Sequence, residues 1–421
     1  MSKWVNKKLG EIADIIVSNV DKHINPHEQK VYLCNYMDAY KNRYIKKTID
    51  FSEGSANAEE KRKYSLMLGD VLITKDSETP DDIGIPAIIW DSIDNLVCGY
   101  HLAILRPKSD IDSLFLMHLL QSDHVYKNWG TKASGATRYG LSKGAISSAN
   151  LHIPAKIKEQ SKIAEVLTTI DIAIEQTEIC IKKYSGIKQG LMQDLLTNGM
   201  DENGKIRSPK THKYKSSILG MIPEEWMCVE FSKVCRVRQG LQIAIANRSI
   251  DKLDDSYFLY ITVDYLNSGR NEYYIKNPPK SVICTEKDIL MTRTGNTGTV
   301  VTNIKGVFHN NFFLVDFDRN KLEKEYVFMY LNRKEIKNMF INYSGVTTIP
   351  DLKHKDFYNT FIKFPKSKKE QLAIIQNINS VEQQISIEDA YLKKLVAIKK
   401  GLMQDLLTGN ISVDILLEGV H

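Results

Sequence analysis

The short motifs that mark most nucleotide- and metal-dependent enzymes are missing from this chain. It has no GxxxxGK[ST] phosphate loop and no GxGxxG opening a helix. Ten histidines are dispersed without HExxH or metal-ligand spacing. Six cysteines, at 34, 98, 180, 228, 235 and 284, include no CxxC pair, so reduced structural thiols are expected rather than a zinc site. Asp76, Asp81 and Asp82 could be gathered into a divalent-metal nuclease site, but Asp81-Asp82 in a Pro-Gly context reads as a turn. Asn277-Pro278-Pro279-Lys280 lacks the aromatic residue that would stack a flipped base, and it also reads as a turn. No apolar run reaches the roughly 18 residues of a membrane span. The opening MSKWVNKKLGEIADI has no signal-peptide core with a small-residue cleavage site, so a cytoplasmic protein without membrane partners is expected.

Strong charge is missing too. The net charge is +6, from 25 basic against 25 acidic residues in 1–200 and 32 against 26 in 201–421. That permits a polyanionic partner without demanding one. The 421 residues exceed one ordinary core and suit two to four domains.

What is present is a repeat. Gly190 to Thr197 read GLMQDLLT, and Gly401 to Thr408 read GLMQDLLT again. Such a long period means duplicated domains rather than a solenoid. Lys158 to Thr197 contain no proline, and apolar residues fall mostly 3, 4 or 7 apart, at Ile163, Leu167, Ile170, Ile174, Ile181, Tyr184, Leu191 and Leu195. This heptad-like stripe predicts a helix about 60 Å long, stopped at Asn198-Gly199. Residues 367–408 predict a second, in which Glu159-Gln160 meets Glu370-Gln371, Ile163 meets Ile374, Leu167 meets Ile378, Ile174 meets Ile385 and Ile187 meets Ile398. The two stripes are expected to pack together, antiparallel, as a spacer.

The regions before each helix match more loosely. Short runs bounded by Gly, Asp, Pro or Ser predict strands at VYLCNYMDAY, DVLITK, IPAIIW and LVCGYHLAIL, with a helix over Leu114–Gln121. Asp70 to Lys75 matches Asp288 to Arg293, and Asn35-Tyr36-Met37-Asp38 resembles Ile261-Thr262-Val263-Asp264. Ser134-Gly135-Ala136-Thr137 matches Ser344-Gly345-Val346-Thr347, Ile153-Pro154 matches Phe364-Pro365, and Trp4 and Trp226 each open a copy. The fold expected is α+β: two similar mixed α/β domains (1–155 and 221–366), two long antiparallel spacer helices (156–199 and 367–409), a linker at 200–220 and a tail at 410–421.

The divergent loops carry polar, basic and aromatic residues suited to DNA. In the first copy these are Lys75, Ser134, Thr137, Arg138, Tyr139 and Lys143. In the second they are Arg238, Gln239, Arg293, Thr294, Asn296, Thr347, Thr348 and Lys353. Arg and Lys bond guanine edges, Asn and Gln suit adenine, and hydroxyls suit phosphates.

Two octapeptide helix ends, two Glu-Gln helix starts and the Leu219-Gly220-Met221-Ile222-Pro223-Glu224-Glu225-Trp226 entry to the second copy resemble the specificity (S) subunit of type I restriction–modification systems. The resemblance covers essentially the whole chain. It implies a non-catalytic DNA-specificity subunit with two target-recognition domains, each reading half of a bipartite site in double-stranded DNA. It further implies two methyltransferase (M) subunits docked on the helices and carrying S-adenosylmethionine, and restriction (R) subunits that join with ATP and Mg. The specificity subunit of a fused restriction–methylation enzyme, and a coiled-coil adaptor that does not bind DNA, are the alternatives.

Overall fold

The computed structural model of the protein describes residues 3–135, 137–343 and 351–413. The chain divides into two compact units, one running up to Ile179 and resuming at Asp389, the other spanning Cys180–Glu388.

In the first unit, Trp4–Lys8 pairs antiparallel with Asn150–Pro154, joining the start of the domain to the strand that feeds the long helix. The main sheet has the order Ala13–Val17, Leu102–Pro107, Val71–Thr74, Pro86–Ile89, Tyr44–Ile45. Its central strands are mostly apolar, with residues 71–73, 86–89 and 102–105 buried, because both faces are covered. Val71, Ile73, Ala103 and Leu105 face the helix Ser113–Gln121 and the start of the long helix. Leu72, Leu102 and Ile104 face a smaller sheet of Ser52–Ala56, Gln29–Cys34 and Leu96–Cys98.

Two sequence readings need correcting here. LVCGYHLAIL is not one strand but two, Leu96–Cys98 and Leu102–Pro107, lying in different sheets. The chain turns the corner at Gly99, where a Cβ would lie 2.8 Å from the Cys34 carbonyl oxygen. VYLCNYMDAY likewise stops being a strand at Cys34, because Asn35 and Asp38 form a capping box that starts the helix Tyr36–Lys41.

The second unit repeats this plan. Trp226–Glu230 pairs with Phe361–Pro365. Its main sheet has the order Cys235–Gln239, Phe312–Phe317, Ile289–Thr292, Val300–Thr302. Tyr257–Ile261 runs parallel to Gly306–Phe308, as Gln29–Cys34 does to Leu96–Cys98. Thr262 then caps the helix Val263–Ser268, so its structural counterpart is Asn35, one residue away from the match drawn from sequence.

Ile157–Asn198 is a single helix of 42 residues and Lys368–Leu406 one of 39. Each passes from one unit to the other. In the first unit Ile163, Ala164 and Leu167 pack in one core with Leu406 and Leu407. In the second, Ile374, Ile375 and Ile378 pack with Leu195 and Leu196. Each octapeptide therefore closes the core of the unit built on the other copy. The Glu-Gln starts make matching bonds. Gln160 accepts from Asp112 N and donates to Pro154 O, both at 2.9 Å. Gln371 accepts from Glu323 N and donates to Pro365 O, also at 2.9 Å. The middle of the apolar stripe behaves differently from expectation. Ile187 and Ile398 are exposed, while the buried positions nearby include the polar Thr168, Asp171 and Thr177.

Residues 200–220, expected as a plain linker, carry structure. Tyr214–Ser217 and Gly220–Pro223 form a hairpin. Arg207 is buried against Glu370, which also accepts from Trp226 Nε1 at 3.0 Å.

Candidate nucleic-acid interface

One edge of the main sheet is built identically in both units. Lys75 and Arg293 leave the ends of the central strands Val71–Thr74 and Ile289–Thr292. The Lys75 amide donates to His101 O at 3.0 Å and the Arg293 amide to Asn311 O at 2.7 Å. Their carbonyls accept from Leu141 N at 2.8 Å and Leu352 N at 3.0 Å. Gly84 N donates to Thr74 O, and Gly298 N to Thr292 O, at 2.8 and 2.9 Å. Both glycines have positive φ, 78° and 79°, and pack on the large rings of Trp129 and Phe340. The frame thus fixes where a side chain emerges and leaves its chemistry free to differ.

The chemistry does differ. In the first unit Lys75 is largely buried, and its Nζ bonds Asp76 at 2.7 Å and sits 4.9 Å from the Tyr100 ring centroid. Asp76 also meets His101 Nδ1 at 2.8 Å. Tyr36 lies edge-on to His101 and stacks on Tyr40, whose hydroxyl donates to Asp82 at 3.0 Å. Tyr126 donates to Asp81 O at 2.7 Å. Burial and then the Asp82 charge push the Tyr36 phenol up to about 12. The Asp82 hydrogen bond raises Tyr40 as well, so both remain protonated donors.

In the second unit, Arg293 holds Asp351 through two bonds, Nε to Oδ1 at 2.9 Å and Nη2 to Oδ2 at 2.7 Å. Thr294 sits opposite Asp351 in an antiparallel bridge. Asn296 is exposed with φ 63°. Nearby, Asn310 donates to Gln242 at 3.2 Å.

The other candidates fall around these two edges. Ser134 and Gly140 bond each other through both backbone groups, and Tyr139 pairs with Ser77 beside Asp76. This brings the Ser-Gly loop to Lys75. Ser134, Thr137, Arg138 and Lys143 are exposed. Gln239 is exposed at the end of Cys235–Gln239, next to the Asn310–Asn311 turn. Arg238 is turned inward, with Nη1 donating to Ser281 O at 3.0 Å. Lys353 is the exposed residue before the short helix His354–Tyr358. Thr347 and Thr348 lie outside the described residues.

Sequence reasoning missed Tyr36, Tyr40, Tyr100, His101, Asn310, Asn311 and Asp351. The signal available for four of them was a polar pair, Tyr100-His101 or Asn310-Asn311, interrupting an apolar run.

Among the described residues, no three His, Cys, Asp or Glu side chains gather as a metal site. Asp76 is held by Lys75 and His101, and Asp82 by Tyr40, rather than by each other. Gly140 to Gly144 fit the spacing of a G-x-S-x-G elbow, but the Ser142 hydroxyl caps a helix, accepting from Ala145 N at 3.1 Å. No helix among the described residues is long and apolar enough to cross a membrane.

A duplicated frame that presents two different sets of polar side chains defines a repeat protein of two like units with different surfaces. Comparison with known proteins specifies which kind. The family model for the type I restriction modification DNA specificity domain matches residues 1–182 and 223–397, and the chain belongs to that family. Two relatives come from Methanocaldococcus jannaschii. One, named for the specificity subunit of the type I restriction enzyme MjaX, is 25% identical over 84% of this chain and 81% of its own length. The other, the type I restriction enzyme MjaVIII specificity subunit, is 24% identical over 73% of each chain. The fold is shared with the S subunit of a type I restriction–modification system from M. genitalium, at a TM-score of 0.59 and 14% identity over 96% of both chains.

Proposed function

We propose that this chain gives a type I restriction–modification complex its DNA-sequence specificity and carries no catalytic step itself. Residues 1–155 and 221–366 each read one half of a bipartite site in double-stranded DNA. The helical segments 156–199 and 367–409 act as an antiparallel spacer that sets the gap and docks two methyltransferase subunits. Those subunits bring S-adenosylmethionine, and restriction subunits bring ATP and Mg chemistry. The complex works on DNA in the cytoplasm.

The observation that carries this reading is the sheet edge built twice on the same backbone bonds, with Lys75, Tyr100 and His101 at one copy and Arg293, Asn310 and Asn311 at the other. The described residues of each copy offer donors and acceptors of the kind that read base edges. We assign the DNA surface to Lys75, Ser134, Thr137, Arg138, Tyr139 and Lys143 in the first unit. In the second we assign it to Gln239, Arg293, Thr294, Asn296, Thr347, Thr348 and Lys353, with Arg238 supporting its strand. Lys75 shares its loop with Asp76, Glu78, Asp81 and Asp82, so the first edge is acidic and partner subunits must supply much of the phosphate grip.

The test is methylome sequencing of cells that express this chain with its modification subunits. A bipartite adenine-methylated motif is expected. Exchange of residues 1–155 for another recognition domain should change one half of that motif and leave the other. A wild-type methylome with no bipartite motif would overturn the reading.

A further inference from the structure

The Arg293–Asp351 pair is more specific than an exposed cation in a loop. Its backbone is fixed on both sides, by the bond from Arg293 N to Asn311 O at 2.7 Å and that from Leu352 N to Arg293 O at 3.0 Å. Thr294 and Asp351 face each other across an antiparallel bridge. The carboxylate is therefore carried on the segment that frames the guanidinium.

A guanidinium has five N–H groups in a rigid fork. Asp351 takes the Nε–H and one Nη2–H, which make up its side-on face. The end-on face remains, one N–H from each Nη, pointing forward in parallel. That spacing matches two acceptors on one base edge, and in the major groove guanine alone presents such a pair, N7 and O6. The adjacent carboxylate also disfavours a phosphate, whose charge it would repel. The pair is part exposed, with the Arg293 side chain 22% and the Asp351 side chain 39% accessible, and among the described residues no hydrogen bond occupies the forward face.

We infer that Arg293 is the reader of a guanine in the half-site addressed by the second unit, and that Asp351 is its positioning residue. The inference rests on the proposed DNA-specificity function. The first unit cannot use the same device. Its corresponding residue is Lys75, an ammonium with no fork, 11% exposed and bonded to Asp76.

The experiment compares the complete complex, this chain with its modification subunits, as wild type, Arg293→Lys and Asp351→Asn, by methylome sequencing. The second half-site is the half that survives exchange of residues 1–155. Wild type should require a guanine there. Arg293→Lys keeps the charge and loses the fork, so that one position should relax by roughly tenfold to a hundredfold. Asp351→Asn should relax the same position and steepen the loss of DNA affinity with salt, because the freed cation now engages phosphate. A purely structural role for Asp351 would weaken methylation at every position and leave the salt slope unchanged.

A second arm needs no variant. Duplexes in which each guanine of that half-site is replaced in turn by 7-deazaguanine lose the N7 acceptor. Wild-type complex should bind one of them about tenfold more weakly, and Arg293→Lys should not distinguish it. A half-site without guanine, no 7-deazaguanine effect, or an unchanged motif in Arg293→Lys would each overturn the inference while leaving the wild-type bipartite motif, and so the proposed function, standing. Absence of any wild-type motif would instead overturn the function itself.

Discussion

Asp171 and Lys399 form an ion pair at 2.7 Å in the first unit, and the carboxylate is fully buried. The same two positions of the repeat supply Glu382 and Lys188 in the second unit, where they pair at 2.9 Å with the carboxylate 57% exposed. Duplication thus preserved a contact between helix segments while its surroundings diverged. Asp171 also bonds Arg43 and accepts from the Tyr44 hydroxyl at 3.0 Å. Glu382 is the exposed partner of its pair, while the Lys188 side chain is 28% accessible.

Removing the two lysines should therefore cost very different amounts. Lys399→Ala leaves a buried carboxylate with Arg43, Tyr44 and the more distant His118, and a loss of about 2–3 kcal/mol is expected, reduced from the usual cost of breaking a buried pair because Arg43 remains. Lys188→Ala breaks an exposed pair and should cost less than about 1 kcal/mol. Urea unfolding midpoints of the two variants test this. Equal shifts would mean that burial at Asp171 does not set the strength of the pair.

His118 makes the first unit sensitive to acid. Its ring is fully buried, with Nε2 at 3.0 Å from the Thr168 hydroxyl and Nδ1 3.8 Å from Asp171. Burial lowers its pKa to about 3; the attraction of Asp171 does not compensate, and Lys399 and Arg43 add to the fall. The folded chain thus keeps this ring neutral, whereas the unfolded chain protonates it near its ordinary value of about 6.5. Below that pH the unfolded state binds the extra proton, so stability is lost progressively from about pH 6.5 down to about pH 3. Between pH 7 and 5 the loss should be about 2 kcal/mol. His118→Gln keeps a bond to Thr168 and cannot titrate, so its Tm should fall less over that range. Parallel pH profiles for the two proteins would assign the acid sensitivity to other groups.

The frame was legible in sequence because identical residues make identical bonds. Gln160 and Gln371 tie their helices to matching carbonyls, and Asp70 and Asp288 each pair with an arginine, Arg106 and Arg319, at 2.8 Å. The edge chemistry was less legible. Nothing local in the sequence shows that Asp351 will hold Arg293, since the two meet only through the sheet. Tyr100-His101 and Asn310-Asn311 look like flaws in apolar runs until strand pairing sets them beside Lys75 and Arg293. The stripe misled at Ile187 and Ile398 because periodicity marks a face of a helix and does not say where along that face a neighbour lies.

Glycines near the two helix ends should respond according to what surrounds them. Gly199 has φ 67°, and a Cβ there would lie 2.3 Å from Glu370 Oε1 and 2.6 Å from the Trp226 ring. Gly409 has φ 75° and faces Trp4 at 2.9 Å. Alanine at either combines a left-handed backbone with a clash, and each should cost about 2–4 kcal/mol. Chemical denaturation measures it. A neutral Gly199→Ala would show that the Trp226–Glu370 contact gives way freely.

Gly190 and Gly401, inside the octapeptides, have nothing within 4 Å of a Cβ built on them. No close approach among the described residues therefore explains a glycine in the interior of either helix. Alanine at each should stabilise the isolated chain by up to about 1 kcal/mol through helix propensity alone. The identity of the two octapeptides then needs another cause, and the methyltransferase docking proposed above would supply one. If that partner approaches the glycine backbone, Gly190→Ala and Gly401→Ala will raise Tm yet weaken assembly, read as a higher subunit concentration for half-maximal methylation. A stabilised chain that assembles normally would place the docking surface elsewhere, leaving the octapeptides to their buried Leu195-Leu196 and Leu406-Leu407.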